Sequence, residues 1–403
     1  MPRFEPFPAV RYDTGRVPLD AVVAPPYDVI GAEDRERLAA RSPHNVVHVD
    51  LPRAEAGGDP YAAAGARFAA WLRDGILAVD DEPGFYVYRM GWRDELGRAG
   101  QTTGVVGAVE LAPPGAQGVL PHERTMGKPK DDRLNLMRAT RANLSPIWGL
   151  SLAPGLSALC EEVSGPPVAR HTDDEGVHHR LWPLRQPALV AAVTETVAQA
   201  PVVIADGHHR YETALAYREE RRAATAGAPG DHDLVLAYLV ELTGDQISIG
   251  PIHRLVSGLP PDFDPVVSLT GDFEVVDDRG PPGLGLLDRM VAEEALGLVT
   301  PAGTWLLRPR PELGGGRNGS EPDAGLLERS LAAWPPHETT YPHRAGDVVA
   351  AVAAGSASVG LLLRPATVEQ IAAAARAGRR MPQKTTFFRP KLRTGLVFRQ
   401  LVH

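Results

Sequence analysis

The chain has 403 residues, is 43% hydrophobic and carries a net charge of −8, so it is long enough for two or three domains or one elaborate α/β body. The mildly acidic balance argues against a generic DNA-coating protein, and no apolar run reaches the roughly 18–20 residues of a membrane span. Cys160 is the only cysteine, which excludes an intrachain disulfide and a zinc–cysteine cluster.

Leu156 and Leu159 near Cys160 mark it as a packed residue rather than a nucleophile. The N-terminal MPRFEPFPAVRY lacks the apolar stretch of a signal peptide, and the expected location is cytoplasmic. Three regions are expected, 1–115, 116–257 and 258–403. In the first, Val22 to Ile30 is an extended piece broken by Pro25-Pro26, which forbid helix. Tyr27 and Asp28 after them either line a site or form a rigid turn. Asn45 to Leu51 alternates apolar and polar residues and predicts a half-buried strand. Tyr61 to Asp74 predicts an amphipathic helix with Phe68, Trp71 and Leu72 on one face and Gly75 ending it. Phe85 to Met90 and Thr102 to Leu111 predict two strands.

His122 to Trp148 begins with HERTMGKPKDDR and is rich in Lys and Arg. Pro121 and Pro129 make Glu123 to Lys130 a loop, and Asp131 or Asp132 caps a helix from Arg133 with Leu134 and Met137 inward. Such a loop is either a phosphate clamp with a carboxylate nearby or a solvated, salt-bridged surface. Pro187 to Ala198 predicts a helix with proline at its first position. His178-His179-Arg180 lies in a strand-like piece and reads as surface decoration.

Pro201 to Tyr217, PVVIADGHHRYETALAY, is the stretch most loaded with chemistry. Val202 to Ile204 predicts a buried strand, Asp206-Gly207 a turn, and His208 onward a helix with Tyr211, Ala214 and Leu215 on one face. The first N–H groups of a helix lack intrahelical partners, and the helix dipole makes that end electropositive. His208, His209 and Arg210 are cations at the unfavourable end of that dipole, so an anion such as phosphate is expected there. Otherwise Asp206 is a helix cap and the three residues are a solvated first turn. On the first reading Arg210 is solvated in the free protein, and its removal weakens a phosphate ligand without affecting folding.

Leu234 to Leu242 predicts a buried strand, and His253-Arg254 follows it. Pro and Gly crowd residues 258–345. There GGGRNG fits G-x-G-x-x-G, but Pro309 and Pro311 separate it from the strand-like Trp305 to Leu307 and no clear helix opens on it, so a flexible loop is favoured over a dinucleotide site. Val348 to Ala353 predicts a helix, Val359 to Leu363 a strand, and Thr367 the cap of a helix through Ala375. From Arg376 to His403 there are eight Lys or Arg and no acid. Interleaved Phe387, Phe388, Leu392, Leu396 and Phe398 predict a packed segment that delivers Lys384, Thr385, Thr386 and Lys391 to a fixed place.

No P-loop, protein-kinase motif set, nucleophile elbow or H-E-x-x-H is present. The stretches ADGHHRYETAL, HERT-x-x-KPK-x-x-R and MPQKTTFFRPKL-x-x-GL, with APPYDVI near the start, resemble the hallmarks of a conserved prokaryotic family of unknown function over nearly the full chain. Thr385 stands where that family usually has Ser, and the hydroxyl is kept. The DGHHR turn is similar to the phosphate-binding turn of the ParB/sulfiredoxin-like superfamily, and within it to that of the free L-serine kinases. The resemblance implies Asp206 as a metal-binding or catalytic carboxylate and His208, His209 and Arg210 as ligands of the donor phosphates. It also implies ATP, ADP or pyrophosphate as donor.

The fold expected is α/β (α+β), a ParB/sulfiredoxin-like core with large N- and C-terminal additions. The function expected is phosphoryl transfer to a small hydroxyl metabolite, with free L-serine favoured. A phosphohydrolase, or a nucleotide-binding regulator without catalysis, is the rival. Lys128, Lys130, Lys384 and Lys391 are expected to converge on Asp206 to Arg210, with Gly207, Arg133 and Thr385 in the same phosphate site. Glu123 is the expected base, with His209 a further catalytic candidate, and Mg²⁺ the expected cofactor on Asp206. The partners expected are a small-molecule substrate and a phosphate donor, without membrane or nucleic acid.

Overall fold

The computed structural model describes residues 1–54, 57–93, 97–112, 118–121, 130–277, 284–313 and 321–402. The protein is mixed α/β, and its described residues form two compact units. One is built from Met1–Pro121, the chain from the next described residue to Ser248, and Pro390–His403; the other comprises Ile249–Arg389.

A nine-stranded sheet organises the first unit. Its order is Val119–Pro121, Val202–Asp206, Ile147–Ser151, Leu234–Glu241, Ala99–Glu110, Phe85–Arg93, His178–Leu184 and Ala169–Thr172, with Phe4–Glu5 also paired to Ala99–Glu110. Two strands of the expected region 1–115, Ala99–Glu110 and Phe85–Arg93, therefore sit between strands of 116–257 in one sheet. Val202, Val203 and Ile204 are fully buried, as expected of β-branched residues on a strand covered on both faces. The core joins Val202, Ile204, Ala237 and Leu239 of the strands to Val193 and Val197 of the helix Pro187–Val197 and to Tyr211 and Ala214 of the helix His208–Ala224. Cys160 is buried in the same core, and burial pushes its thiol up to about 12. No helix among the described residues is long and apolar enough to cross a membrane.

Asn45 to Leu51 is not a strand: Val47–Asp50 is a helical turn. The Asn45 side chain accepts from Val47 N (3.0 Å) and donates to Ala21 O (2.8 Å). This local side-chain turn, anchored on Ala21, outweighs β-propensity over so short a run. Val46 is buried along with Val47 and Val49, so the apparent alternation did not mark two faces. The helix Pro60–Arg73 begins on proline after an Asp59 cap and buries Phe68 and Trp71.

The second unit holds an antiparallel six-stranded sheet, ordered Phe273–Asp277, Gly303–Pro309, Leu296–Thr300, Val359–Leu362, Arg254–Ser257 and Glu338–Thr340. Leu298, Leu307 and Leu361 belong to one apolar cluster and Val299, Leu306 and Leu362 to another, the period of two that puts successive side chains on opposite faces. The strand-like Trp305 to Leu307 and the strand expected over Val359 to Leu363 are thus part of a sheet with a core on each face, which runs between the Pro- and Gly-rich connections. Thr367 caps Val368–Arg376 through a reciprocal bond with Gln370. The GGGRNG stretch lies outside the described residues.

Pro390–His403 is packed into the first unit rather than trailing. Thr394 bridges Ala24, Phe398 bridges Val10, and Arg399–Gln400 pairs with Ala142–Asn143. Arg393, two residues after Lys391, pairs with Asp173, which also accepts from His179 Nε2 (2.9 Å). His179 Nδ1 meets the Tyr88 hydroxyl at 2.7 Å, and its ring stacks on His171, itself 2.7 Å from Asp20. His179 is therefore no surface decoration: it is 1% exposed, at the centre of a buried polar cluster that anchors the C-terminal segment.

Burial, with the Arg393 charge, brings His179 down to about 4 despite Asp173. A histidine in the unfolded chain titrates near about 6.5. As pH falls between these values the unfolded state binds a proton that the native state refuses. Stability should therefore drop by roughly 2–3 kcal/mol from this group between about pH 6.5 and 4. Asp173, which burial alone would raise, is held well below the carboxylate range by His179 and Arg393, and adds a further loss as pH falls through its own lower range. Urea unfolding as a function of pH checks this: His179→Gln should flatten the slope between pH 6.5 and 4, while an unchanged slope would remove His179 as its source.

Candidate functional site

The strand Val202–Asp206 ends on an irregularity in its pairing with Ile147–Ser151, between Ile204 and Asp206. Gly207 follows at φ 87°, ψ 27° and serves as N-cap of His208–Ala224. That left-handed conformation favours glycine. A Cβ on Gly207 would also lie 3.0 Å from Cζ and Nε of Arg210. The first helical turn has no acid, so its backbone N–H groups present the positive end of the helix dipole, with the His208 and His209 rings beside them.

Asp206 stands against that field. Its Oδ1 receives Lys391 Nζ at 2.8 Å and its Oδ2 receives an Arg210 nitrogen at 2.7 Å. Burial alone would raise the Asp206 carboxyl, but Lys391 and Arg210, helped by His208, hold it well below the usual range. The other terminal nitrogen of Arg210 donates to the carbonyl of Pro146. Arg210 is only 9% exposed, which corrects the expectation of a solvated guanidinium. The helix turns residue 210 toward the core, and Asp206 and Pro146 compensate its burial.

Inside Arg210 lies a pocket whose walls include Tyr27, Asp50, Arg133 and Thr213. Arg133 is buried, donates to Asp50 O (2.7 Å) and Oδ1 (3.2 Å), and stacks over the Tyr27 ring at 4.3 Å. Burial pushes the Tyr27 hydroxyl up to about 12, and the charges of Arg210 and Asp28 also act on it. Tyr27 thus lines the pocket, and Asp28 is exposed beside it.

The structure therefore brings together Asp206, Gly207, His208, Arg210 and Lys391, and sets Arg133 on the pocket wall. His209 is half-buried at the second helical position, with Nδ1 3.9 Å from Glu212. Lys384 and Thr385 belong to the second unit. There Lys384 has a φ of 57° and the buried Thr385 hydroxyl donates to Pro382 O at 2.7 Å. Glu123 and Lys128 lie outside the described residues, as does the side chain of Lys130, whose backbone opens the helix Lys130–Thr140. Asp50 and Thr213 were not legible as site residues. Asp50 read as the polar face of a strand, and Thr213 carried one usable signal, its i+3 spacing from Arg210 on one helix face.

Magnesium on Asp206 does not fit this arrangement. Both carboxylate oxygens are engaged by cations, and no group of three His, Cys, Asp or Glu among the described residues could hold a metal. Magnesium is held through one or two carboxylates with phosphate and water oxygens, and on Asp206 it would have to displace Lys391 or Arg210.

Two substitutions separate structural from ligand-binding roles in the turn. Gly207→Ala should cost about 1–3 kcal/mol, from left-handed strain and the contact with Arg210. Arg210→Ala should cost about 2–3 kcal/mol, because it strips one of two cations from the half-buried Asp206 carboxylate and leaves Pro146 O unpaired. Chemical denaturation checks both, and unfolding of Arg210→Ala at the wild-type midpoint would return Arg210 to the surface.

A family model described as "Protein of unknown function (DUF1015)" matches residues 4–330. No curated protein matches the chain. Similar solved structures include a conserved hypothetical protein from Pyrococcus furiosus, 14% identical, over 67% of this chain and 86% of that one, at TM-score 0.35. A free serine kinase in complex with AMP is 15% identical over 67% and 83%, at TM-score 0.36. SbnI with a C-terminal truncation, from Staphylococcus aureus, is 12% identical over 72% and 85%, at TM-score 0.36.

Proposed function

Since the chain belongs to the family described as protein of unknown function DUF1015, we propose from its own site that it transfers a phosphoryl group from a nucleotide or pyrophosphate to a small hydroxyl metabolite. The observation that carries this reading is the Asp206–Gly207 turn. A glycine-capped helix start without acids in its first turn meets a lysine returned from far along the chain. Anions bind where unpaired N–H groups and the positive end of a helix dipole coincide.

In this reading the first-turn N–H groups, His208 and His209 hold the donor phosphates. Lys128 and Lys130 supply further phosphate contacts. Lys391, parked on Asp206, is the cation nearest to the transferring group. Asp206 fixes Lys391 and Arg210 rather than ligating metal, and any magnesium arrives with the nucleotide as part of the substrate. The acceptor oxygen forms the new P–O bond, the bond to the donor's bridging oxygen breaks, and the hydroxyl proton passes to a carboxylate. Glu123 is the first candidate for that base, and Asp28, exposed beside Tyr27, is the second. Free L-serine is the acceptor implied by the resemblance of the DGHHR turn.

The test incubates the protein with Mg²⁺, L-serine and ATP, ADP or pyrophosphate in turn, and reads O-phosphoserine by mass spectrometry. Release of inorganic phosphate without a phosphorylated acceptor would make the protein a phosphohydrolase instead. Lys391→Ala should lower kcat at least tenfold, through lost stabilisation of transferring charge. Glu123→Gln should lower kcat by roughly 10²–10⁴-fold with donor affinity little changed. Wild-type turnover by Glu123→Gln moves the base to Asp28.

A further inference from the structure

The pocket inside Arg210 has an unusual polar balance. Three of its wall residues each carry a buried side-chain atom without a hydrogen-bond partner: Asp50 Oδ2, Arg210 Nε and Thr213 Oγ1. Asp50 is 4% exposed, Arg210 9% and Thr213 2%. Buried polar atoms are seldom left unpaired, and a group of them around one pocket calls for a ligand. The cavity measures about 50 Å³, room for a few water-sized groups at roughly 10–15 Å³ each, so a ligand here is a molecule of a few heavy atoms. Leu136 and Val235 supply apolar wall between the polar points.

The three orphans specify complementary chemistry. A carboxylate oxygen only accepts, a guanidinium nitrogen only donates, and a hydroxyl does either. A simple anion would satisfy Arg210 and leave Asp50 alone; a simple cation would do the reverse. Burial raises the Asp50 carboxyl even with Arg133 and Arg210 acting against it, so a further cation would favour its charged form. Asp50 and Arg210 line the same pocket, and each charge acts on the other, so a molecule that carries both signs complements the pair.

We propose that this pocket receives the α-amino acid itself, with the ammonium on Asp50 Oδ2, the carboxylate on Arg210 Nε, and Thr213 Oγ1 as a further hydrogen-bonding point. The assignment deepens the phosphotransfer reading and rests on it for the choice of a hydroxyl-bearing amino acid. Because Arg210 holds Asp206 on its other side, one guanidinium joins the acceptor pocket to the phosphate turn.

Calorimetry on the full chain without any donor tests this through binding alone. L-serine, L-threonine and L-alanine are compared with N-acetyl-L-serine, which lacks the cation, and ethanolamine, which lacks the anion. At least one of the three amino acids should bind ten or more times tighter than both single-charge analogues, the range for losing a charge-assisted hydrogen bond. Asp50→Asn should weaken that amino acid at least tenfold with pyrophosphate affinity unchanged. Thr213→Val, which replaces an unpaired buried hydroxyl with an isostere and so should not cost stability, should weaken it several-fold. No binding by any of the three amino acids, equal binding of N-acetyl-L-serine, or wild-type affinity in both variants overturns the proposal. Amino-acid binding without phosphate transfer from any donor would leave the pocket standing and sink the phosphotransfer reading. Phosphorylation of some other alcohol with no amino-acid binding would do the opposite.

Discussion

A single carboxylate ties together three distant pieces of the first unit. Asp206 ends a buried strand, Arg210 sits one turn into the next helix, and Lys391 arrives from the C-terminal segment. Burying a carboxylate costs several kcal/mol unless paired charges and hydrogen bonds compensate it, so the two cations are conditions for the turn to exist in this form. Gly207 follows from the same constraint, since the Arg210 guanidinium occupies the space a Cβ would need. Lys391 is in turn held by what flanks it: Arg393 on Asp173, and the Thr394 hydroxyl 2.5 Å from that of Ser145.

Charged side chains are concentrated inside this unit to an uncommon degree. Arg133 with Asp50, Arg210 with Asp206, and Arg393 with Asp173 and His179 all lie largely out of water. Buried ion pairs are often no more stabilising than the apolar residues that could replace them. Perturbed groups gathered around a concave site are more economically understood as chemistry than as scaffolding. The His179 cluster is the counter-example: its groups are satisfied by one another, and its effect is to seat a chain segment.

Long periodic segments and local signals were readable from the sequence. The Pro60–Arg73 helix, the Val202–Asp206 strand, the glycine turn and the Thr367 cap each followed from neighbouring residues. What escaped was set by tertiary partners. Asn45 turned an alternating run into helix by bonding to Ala21, and His179 became core because Asp173, Tyr88 and Arg393 meet there. The direction of Arg210 was misread because a cation at a helix start looks solvated until Pro146 and Asp206 are seen around it. The return of Lys391 to Asp206 was foreseeable from its apolar neighbours. Asp50 was not, since nothing local distinguishes a carboxylate on a pocket wall from one on a surface.

The route of the chain has a bearing on how the protein is made. The first unit is interrupted after Ser248 and resumes only at Pro390, with the whole second unit inserted between. Contacts so far apart in sequence close late, because the entropy of the intervening loop must first be reduced. An insert that folds on its own shortens the effective loop, bringing residues 249 and 389 under mutual restraint before the C-terminal segment docks. During synthesis, which favours domain-by-domain folding, a nascent chain that has released the Asp206–Gly207 turn still lacks the ammonium that Asp206 needs. Its carboxylate should then behave as an ordinary solvated acid, and the paired arrangement of Asp206, Arg210 and Lys391 should be withheld until translation has passed the inserted unit.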